Sequence, residues 1–482
     1  SDTNPVFFFF LLQDLAPVER YSINAINQDP IDMENKMTRF LSLAACCLML
    51  LAAACSKDSD GDVAELLKTV PADAGTVVSV NVRSLAVKAD CKVEDGKITL
   101  SPSLQKSLAS MKDAGMRKKT EMLLDGKSGI AVTSLVVFDR GYHRYITGLL
   151  DDPGAFKSFL ASGDKKYQFK ETGGIEYAAD VAIKGNQFWS LSVGEIDPLD
   201  VKEFSELPEG KSFISTDYAE KLVSGDYDVK GLADVSRLMG DGGFVKQAQT
   251  QMALQTVFSD AVYLEFMADF RKGSLAMEAS VLTSKFKPAK CNFPLSKIDT
   301  DAVKSIPGTG NAAFAVGASS KLVEKVNAML SQAGAIGKIY AQILAPVSGT
   351  VAVLGQSGGQ PGDMRLNGLV QTGGKELNPL TTVVGEYGIQ WRLDGKDLVL
   401  STAQQPQGGI SAEAFAKECK GAFFACMADS RQLKSYFGND RLPVRHAVVR
   451  MEPSEGSVKL KATVESDTEE KNLLAAAIEA MM

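Results

Sequence analysis

Apolar positions along this chain fall into two alternating rhythms from about residue 63 onward. Val77 to Val82 is a β-branched apolar run, which predicts a strand. Leu104, Leu108 and Met111 follow helical spacing, as do Leu322, Val326, Met329 and Ala333 further on. Ile130 to Phe138 and Arg144 to Leu150 predict a hairpin turning at Asp139-Arg140-Gly141. Val181 to Ile183 and Phe188 to Val193 flank a second turn, Lys184-Gly185-Asn186, and Tyr263 to Phe270 and Ser274 to Leu282 flank a third. Asp152-Pro153 has the chemistry of a helix start, an aspartate cap followed by proline at the first helical position, with Phe156, Phe159 and Leu160 as its buried stripe. The chain closes on an amphipathic helix carrying Leu474, Ile478 and Met481. Strands in adjacent pairs predict an α+β fold of largely antiparallel sheet with helices packed on one face.

The pattern repeats. Leu67 to Pro71 ahead of the first strand is echoed by Val303 to Pro307 ahead of Ala313 to Val316. In the same order, Ser128-Gly129-Ile130 returns as Ser348-Gly349-Thr350, Gly174-Ile175 as Gly388-Ile389, and Ile214-Ser215 as Ile410-Ser411. Ala233-Asp234 then matches Ala428-Asp429, and Gly273-Ser274 matches Gly456-Ser457. Two tandem copies are expected, at 63–285 and 298–482, with a linker at 286–297. Within each copy, a strand twice runs into a cap-like residue and a leucine-bearing helix: Asn81 to Leu85, Asp234 to Leu238, Ser319 to Leu322 and Asp429 to Leu433.

The start of the chain has a different character. Lys36 and Arg39 lead into an apolar run from Phe40 to Leu51, followed by Ala52-Ala53-Ala54-Cys55 and an acidic, polar stretch. That run is shorter than the roughly 20 apolar residues of a spanning helix and has the layout of a signal peptide. It resembles the signal of bacterial lipoproteins, with Ala52 where leucine usually stands. The resemblance implies cleavage before Cys55, acylation of its thiol and new amino group by chains such as palmitate, and attachment to a membrane. Ser56 in place of aspartate after the cysteine implies the outer membrane of a Gram-negative cell, and the acids that follow resemble tethers that carry lipoproteins to the cell surface. The expected divisions are an upstream extension at 1–36, arising from a misplaced start ahead of Met33 or Met37, a signal peptide at 37–54 and a flexible acidic tether at 55–62.

Setting aside the first 54 of 482 residues leaves 428, and the composition of the full chain, 45% hydrophobic and 23% charged, is that of an ordinary globular protein. A net charge of −7 argues against nucleic acid as a partner. Cys91, Cys291, Cys419 and Cys426 allow disulfides in an extracytoplasmic compartment, but no spacing selects a pairing, and buried unpaired thiols are expected. With His143 and His446 as the sole histidines and no CxxC pair, neither a metal site nor a cofactor is expected.

Several motifs suggest chemistry and fail on context. Gly355-Gln356-Ser357-Gly358-Gly359 matches G-x-S-x-G, with Asp394 and His446 following in hydrolase order, but the next segment is a strand and not the helix a nucleophile elbow requires. Gly308-Thr309-Gly310-Asn311-Ala312-Ala313 precedes a strand, so a phosphate would have no helix N-terminus. Asp58, Asp60 and Asp62 lack the remainder of a calcium loop. Asp151-Asp152 is explained by helix capping. Tyr142-His143-Arg144-Tyr145 is the densest polar and aromatic cluster, suited either to a sugar or protein partner or to plain cross-strand pairing. Trp189 and Trp391 are expected in the core.

Val70-Pro71-Ala72-Asp73-Ala74, the β-run after it and the signal together resemble an uncharacterised family of gut-bacterial lipoproteins, a domain of unknown function. The resemblance implies no activity and no catalytic residue. The expected function is a non-catalytic binding or scaffolding body held on the membrane by Cys55, with a protein or glycan partner. The rival is a hydrolase of envelope or dietary polymers. An exposed apolar patch on one copy is the mark of a member of a multi-protein complex.

Overall fold

The computed structural model describes residues 59–481, except 95–96, 111–113, 163–165, 225–226, 236–254, 333, 357–364, 375 and 438. Cys55, the signal region and the extension therefore lie outside the described residues. The elements run α1 (Ser59–Leu67), β1 (Thr76–Asn81), α2 (Val82–Lys88), β2 (Lys92–Glu94), β3 (Lys97–Thr99), α3 (Pro102–Ser110), α4 (Ala114–Leu124), β4 (Ile130–Arg140), β5 (His143–Leu150), α5 (Pro153–Ala161), β6 (Lys170–Thr172), β7 (Ile175–Ala178), β8 (Val181–Lys184), β9 (Gln187–Leu191), α6 (Pro198–Ser205), α7 (Ala219–Val223), β10 (Val229–Asp234), β11 (Phe258–Ser259), β12 (Tyr263–Arg271) and β13 (Ser274–Leu282). There follow β14 (Lys290–Cys291), α8 (Thr300–Lys304), β15 (Thr309–Gly310), β16 (Ala312–Gly317), α9 (Ser320–Gln332), α10 (Gly334–Leu344), β17 (Thr350–Gln356), β18 (Arg365–Gln371), α11 (Asn378–Glu386), β19 (Gln390–Asp394), β20 (Asp397–Ser401), β21 (Ile410–Ser411), α12 (Ala412–Cys419), β22 (Phe424–Asp429), α13 (Ser430–Phe437), β23 (Val444–Ser454), β24 (Ser457–Ser466) and α14 (Leu473–Met481).

The chain forms two compact units. The first holds the described residues of Asp29–Ala248, Val262–Lys287 and Thr468–Met482, and the second those of Gln249–Ala261 and Pro288–Asp467. The boundaries depart from those expected at three segments, one of them the described part of Gln249–Ala261, which was expected in the first copy and belongs to the second unit. The closing helix belongs to the first unit, where Leu474 and Ile478 pack on its core and Asn472 bridges to Lys272. Residues 286–297 are not a bare linker. Phe286 stacks on Tyr263 in the first unit, and Lys290-Cys291 pairs with Phe258-Ser259 in the second.

Within the first unit the sheet order is β13-β12-β10-β1-β4-β5-β9-β8-β7-β6, antiparallel throughout. Within the second it is β24-β23-β22-β16-β17-β18-β20-β19, also antiparallel. Strand for strand the order is the same as far as β8 and β19, so both units are built on one α+β topology. Five of the six matched sequence pairs fall at equivalent places. The sixth does not: Gly174-Ile175 opens β7, whereas Gly388-Ile389 leads into β19, the counterpart of β8.

Helices cover both faces of each sheet, where one face was expected. In the first unit, α1, α6 and α7 bring Leu67, Phe204 and Leu222 onto the face of Val136, Phe138 and Trp189. On the opposite face, α2, α3, α5 and α14 cover Leu135, Leu150, Val181 and Phe188. The second unit repeats this, with Phe415 of α12 over Ala352 and Leu354, and Val323 of α9 and Val384 of α11 over Leu366, Leu398 and Leu400. Successive strand residues point to opposite faces, so strands apolar at consecutive positions need a cover on each side.

Local chemistry sets the element ends. Asn81, Asp152 and Asp429 accept N–H bonds from Ser84, Ala155 and Gln432 at 2.9–3.0 Å and cap α2, α5 and α13, and Ser319 accepts from Leu322. Helix α1 starts at Ser59, so half of the stretch expected to be a flexible tether is helical. Gly129, at φ +71°, lies where a Cβ would meet Asp152 O at 2.1 Å, which explains the glycine before β4.

One feature is unique to the first unit. The buried carboxylate of Asp228 accepts from Ser84 Oγ (2.5 Å), Phe270 N (2.6 Å) and Lys88 Nζ (2.9 Å), and Lys88 also reaches Asp269 Oδ1 at 2.6 Å. Asn81 N donates to Asp228 O, as Gly317 N does to Phe423 O, so a phenylalanine holds the equivalent place in the second unit.

Candidate functional site

The Tyr142 to Tyr145 cluster does not act as one surface. Arg144 faces Asp139 across the hairpin, with Nε 2.8 Å from Oδ1 and Nη2 3.2 Å from Oδ2. Tyr145 is core. It stacks on Phe138 at 5.3 Å and donates its hydroxyl to Asp200 at 2.7 Å. Burial, then that bond, raises the phenol above its ordinary range. Tyr142 and His143 are exposed at and beside the turn. The cross-strand explanation therefore covers the inner half of the cluster.

No triad assembles around the G-x-S-x-G run. Ser357 lies outside the described residues. His446 on β23 and Asp394 on β19 are six strand steps apart in one sheet, about 29 Å at ~4.8 Å per step. His446 faces Glu465 across β24, with Nε2 3.3 Å from Oε2. Gly310 is explained by packing: its strand β15 pairs with β21, and a Cβ there would lie 2.7 Å from Gly355 O. Asp152 is a cap, and burial followed by the charge of Asp62 pushes the neighbouring Asp151 carboxyl upward. Asp58 lies outside the described residues, and Asp62 is in helix α1.

The four described cysteines are unpaired. Burial raises every one of these thiols, and Cys419, the most strongly shifted, is pushed up to about 12, so they are poor nucleophiles and poor metal ligands. Among the described residues no group of three or more His, Cys, Asp or Glu side chains could hold a metal ion.

The arrangement with the strongest physical claim to a partner was not singled out by motif. Large apolar side chains are exposed at Met329 on α9, Ile336 and Ile339 on α10, Tyr387 after α11, and Trp391 and Leu393 on β19. These elements are neighbours in the second unit, since α9 packs on α10, α10 on α11, and α11 on β19. In the first unit the large apolar residues exposed among the described residues are Val87, Tyr142, Val193 and Leu199, the last three on elements that adjoin the β4–β5 hairpin. Exposure of large apolar side chains is costly in water, and where they adjoin it marks interaction surfaces. The available signal was α10 itself, Gly334-Ala335-Ile336-Gly337-Lys338-Ile339, apolar on more than one face.

The two tryptophans divide in the same way. Trp189 on β9 is 1% exposed and Trp391 is 46% exposed, so Trp391 is not the core residue it was expected to be. Its strand alternates Gln390-Trp391-Arg392-Leu393-Asp394, all five exposed, and Trp391 and Leu393 share one face of it.

No family model matches the chain, and no curated protein matches it. Among solved structures it is similar to "Structure of crystal form IV of TP0453", at 13% identity, a TM-score of 0.28, and coverage of 45% of this chain and 79% of the other. It is also similar to "Structure of crystal form III of TP0453", at 12% identity, a TM-score of 0.25, and coverage of 73% and 96%. Scores of this size establish neither a common fold nor a common function.

Proposed function

We propose that the chain is a bacterial envelope lipoprotein, acylated at Cys55, whose two α+β units act as a non-catalytic binding body for a protein partner. The supporting observation is the set of large apolar side chains exposed on neighbouring elements of the second unit, from Ile336 and Ile339 to Trp391. The separation of Asp394 from His446 removes the main candidate for hydrolysis. The signal-like segment ending at Cys55 supports attachment to the outer membrane, and the acidic residues after it favour the cell surface. The test is affinity capture from native membranes, with Cys55→Ala as the control for anchoring. A co-purifying protein lost when Ile336 and Ile339 are replaced by serine is the expected result. Turnover of a glycan or peptide by the soluble body overturns the proposal in favour of a hydrolase.

A further inference from the structure

The two units differ at one sheet edge, and the difference indicates what the open edge accepts. In the first unit β8 pairs with β9 on one side and with β7 on the other, Ala178 lying opposite Val181 and Glu176 opposite Ile183. The β6–β7 hairpin continues the sheet, and Tyr167 and Phe169 just before it pack on the cluster holding Val181 and Ile183. Those two side chains are 3% and 2% exposed. Aligning the turns after β8 and β19 places Trp391 at the position of Val181 and Leu393 at that of Ile183. Residues 162–180 lie between α5 and β8, but only 387–389 lie between α11 and β19. The second unit thus lacks the covering hairpin, Leu393 is 53% exposed, and β19 pairs with β20 alone among the described strands.

We infer that the free edge of β19 is a strand-addition site for an extended segment of a partner protein. The segment lies antiparallel to β19 in the register that β7 keeps on β8, and apolar residues ahead of the paired stretch lie over Trp391 and Leu393 as Tyr167 and Phe169 lie over Val181 and Ile183. Its backbone supplies the hydrogen bonds that β7 supplies in the first unit, and its apolar residues supply the cover given there by Tyr167 and Phe169. The cross-strand partners of Trp391 and Leu393 are Leu400 and Leu398, so an added strand extends an existing apolar face. Arg392 and Asp394 lie on the opposite face, leaving the apolar row free of charge. The inference rests on the chain being a binding body.

The probe is a synthetic peptide of residues 167–178 of this chain, the segment that covers the equivalent edge. The chain has two tryptophans, and acrylamide reaches the exposed Trp391 but not the buried Trp189. Adding the peptide to the full chain is expected to lower the quenchable emission saturably, and Leu393→Asp, which removes apolar surface and faces Glu176 of the peptide, to weaken that binding about 10-fold or more. A parallel chain carries residues 162–180 in place of 387–389, which makes the pairing intramolecular and removes the demand on affinity. Its Trp391 is expected to become unquenchable. Unchanged quenching in both arms overturns the inference, with the peptide arm deciding if the transplanted chain does not fold. Loss of quenching on concentration alone, with a doubled mass in sedimentation, assigns the edge to a second copy and also overturns it. Capture through Ile336 and Ile339 that persists in Leu393→Asp leaves the binding body standing without this edge, whereas polymer turnover ends the binding body whatever the peptide does.

Discussion

In the first unit β8 has a strand on each side and two buried apolar side chains, while in the second unit β19 has one neighbour and exposes both. The strand order is otherwise shared. Omitting one hairpin is enough to turn a core position into a surface without disturbing the topology that carries it. The helical pair ahead of β17 follows the same trend. Helix α4 of the first unit carries Arg117, Lys118 and Lys119, whereas α10 carries Ile336 and Ile339. The first unit is closed by its own chain, through β6, β7 and α14. The second presents its unfinished side to whatever completes it.

The largest way to break the comparison is at the charge cluster that the first unit alone contains. Lys88→Met leaves Asp228 buried without its cation, and should cost the first unit about 3–5 kcal/mol, seen as a lowered urea midpoint for Trp189 emission. A small effect would mean that Asp228 is solvated and the cluster is not a point of difference. The tryptophans offer the next test. Trp189→Ala should cost about 3–5 kcal/mol and Trp391→Ala less than about 1 kcal/mol in a urea titration followed by circular dichroism. Equal costs would show that Trp391 is covered in solution.

The pH response should separate the units at the alkaline end. Burial pulls the Lys88 ammonium down, but its bonds to Asp269 and Asp228 outweigh this and leave it raised. Its contribution is therefore complete below about pH 10.4 and lost as pH rises through the higher folded value. At the acid end the units should behave alike. Burial pushes up Asp269 and Glu452, but the cations beside them, Lys88 and Arg271 for one and Lys461 and Arg450 for the other, hold both below their usual range. Their contributions are present above about pH 4 and lost as pH falls through the lowered values. The urea midpoint read at Trp189 should fall further than that read at Trp391 once the pH passes about 10, and Lys88→Met, whose Trp189 midpoint is already low at neutral pH, should lose that alkaline fall. The smallest expected effect is at two helix caps, one in each unit. Asp152→Ala and Asp429→Ala should each cost about 1 kcal/mol in thermal unfolding, with the larger loss at Asp429, which also accepts from Gly409 N at 2.9 Å.

Much of the fold was legible because its punctuation is local. The turn at Lys272-Gly273, the cap at Asp152 and the proline after it fix element ends through their own backbone chemistry. The repeat was legible for the same reason, since Asp429 and Ser319 recur where a strand hands over to a helix. Helix cover on both faces was not, because the run from Ile130 to Phe138 states that a strand is buried twice over without naming what buries it. The exchange of α14 into the first unit depends on contacts far along the chain. The exposed surface was hidden in a similar way. The alternation in Gln390-Trp391-Arg392-Leu393-Asp394 is that of a half-buried strand, and it tells which side chains share a face but not that the covering hairpin is missing.

The measurement that bears most directly on the open edge is hydrogen exchange of residues 181–184 and 390–394, followed side by side in the full chain. The expected result is slow exchange in β8 and fast exchange in β19, with β19 slowing once the 167–178 peptide is added and β8 unchanged. Equal protection of the two strands in the free chain would contradict the account.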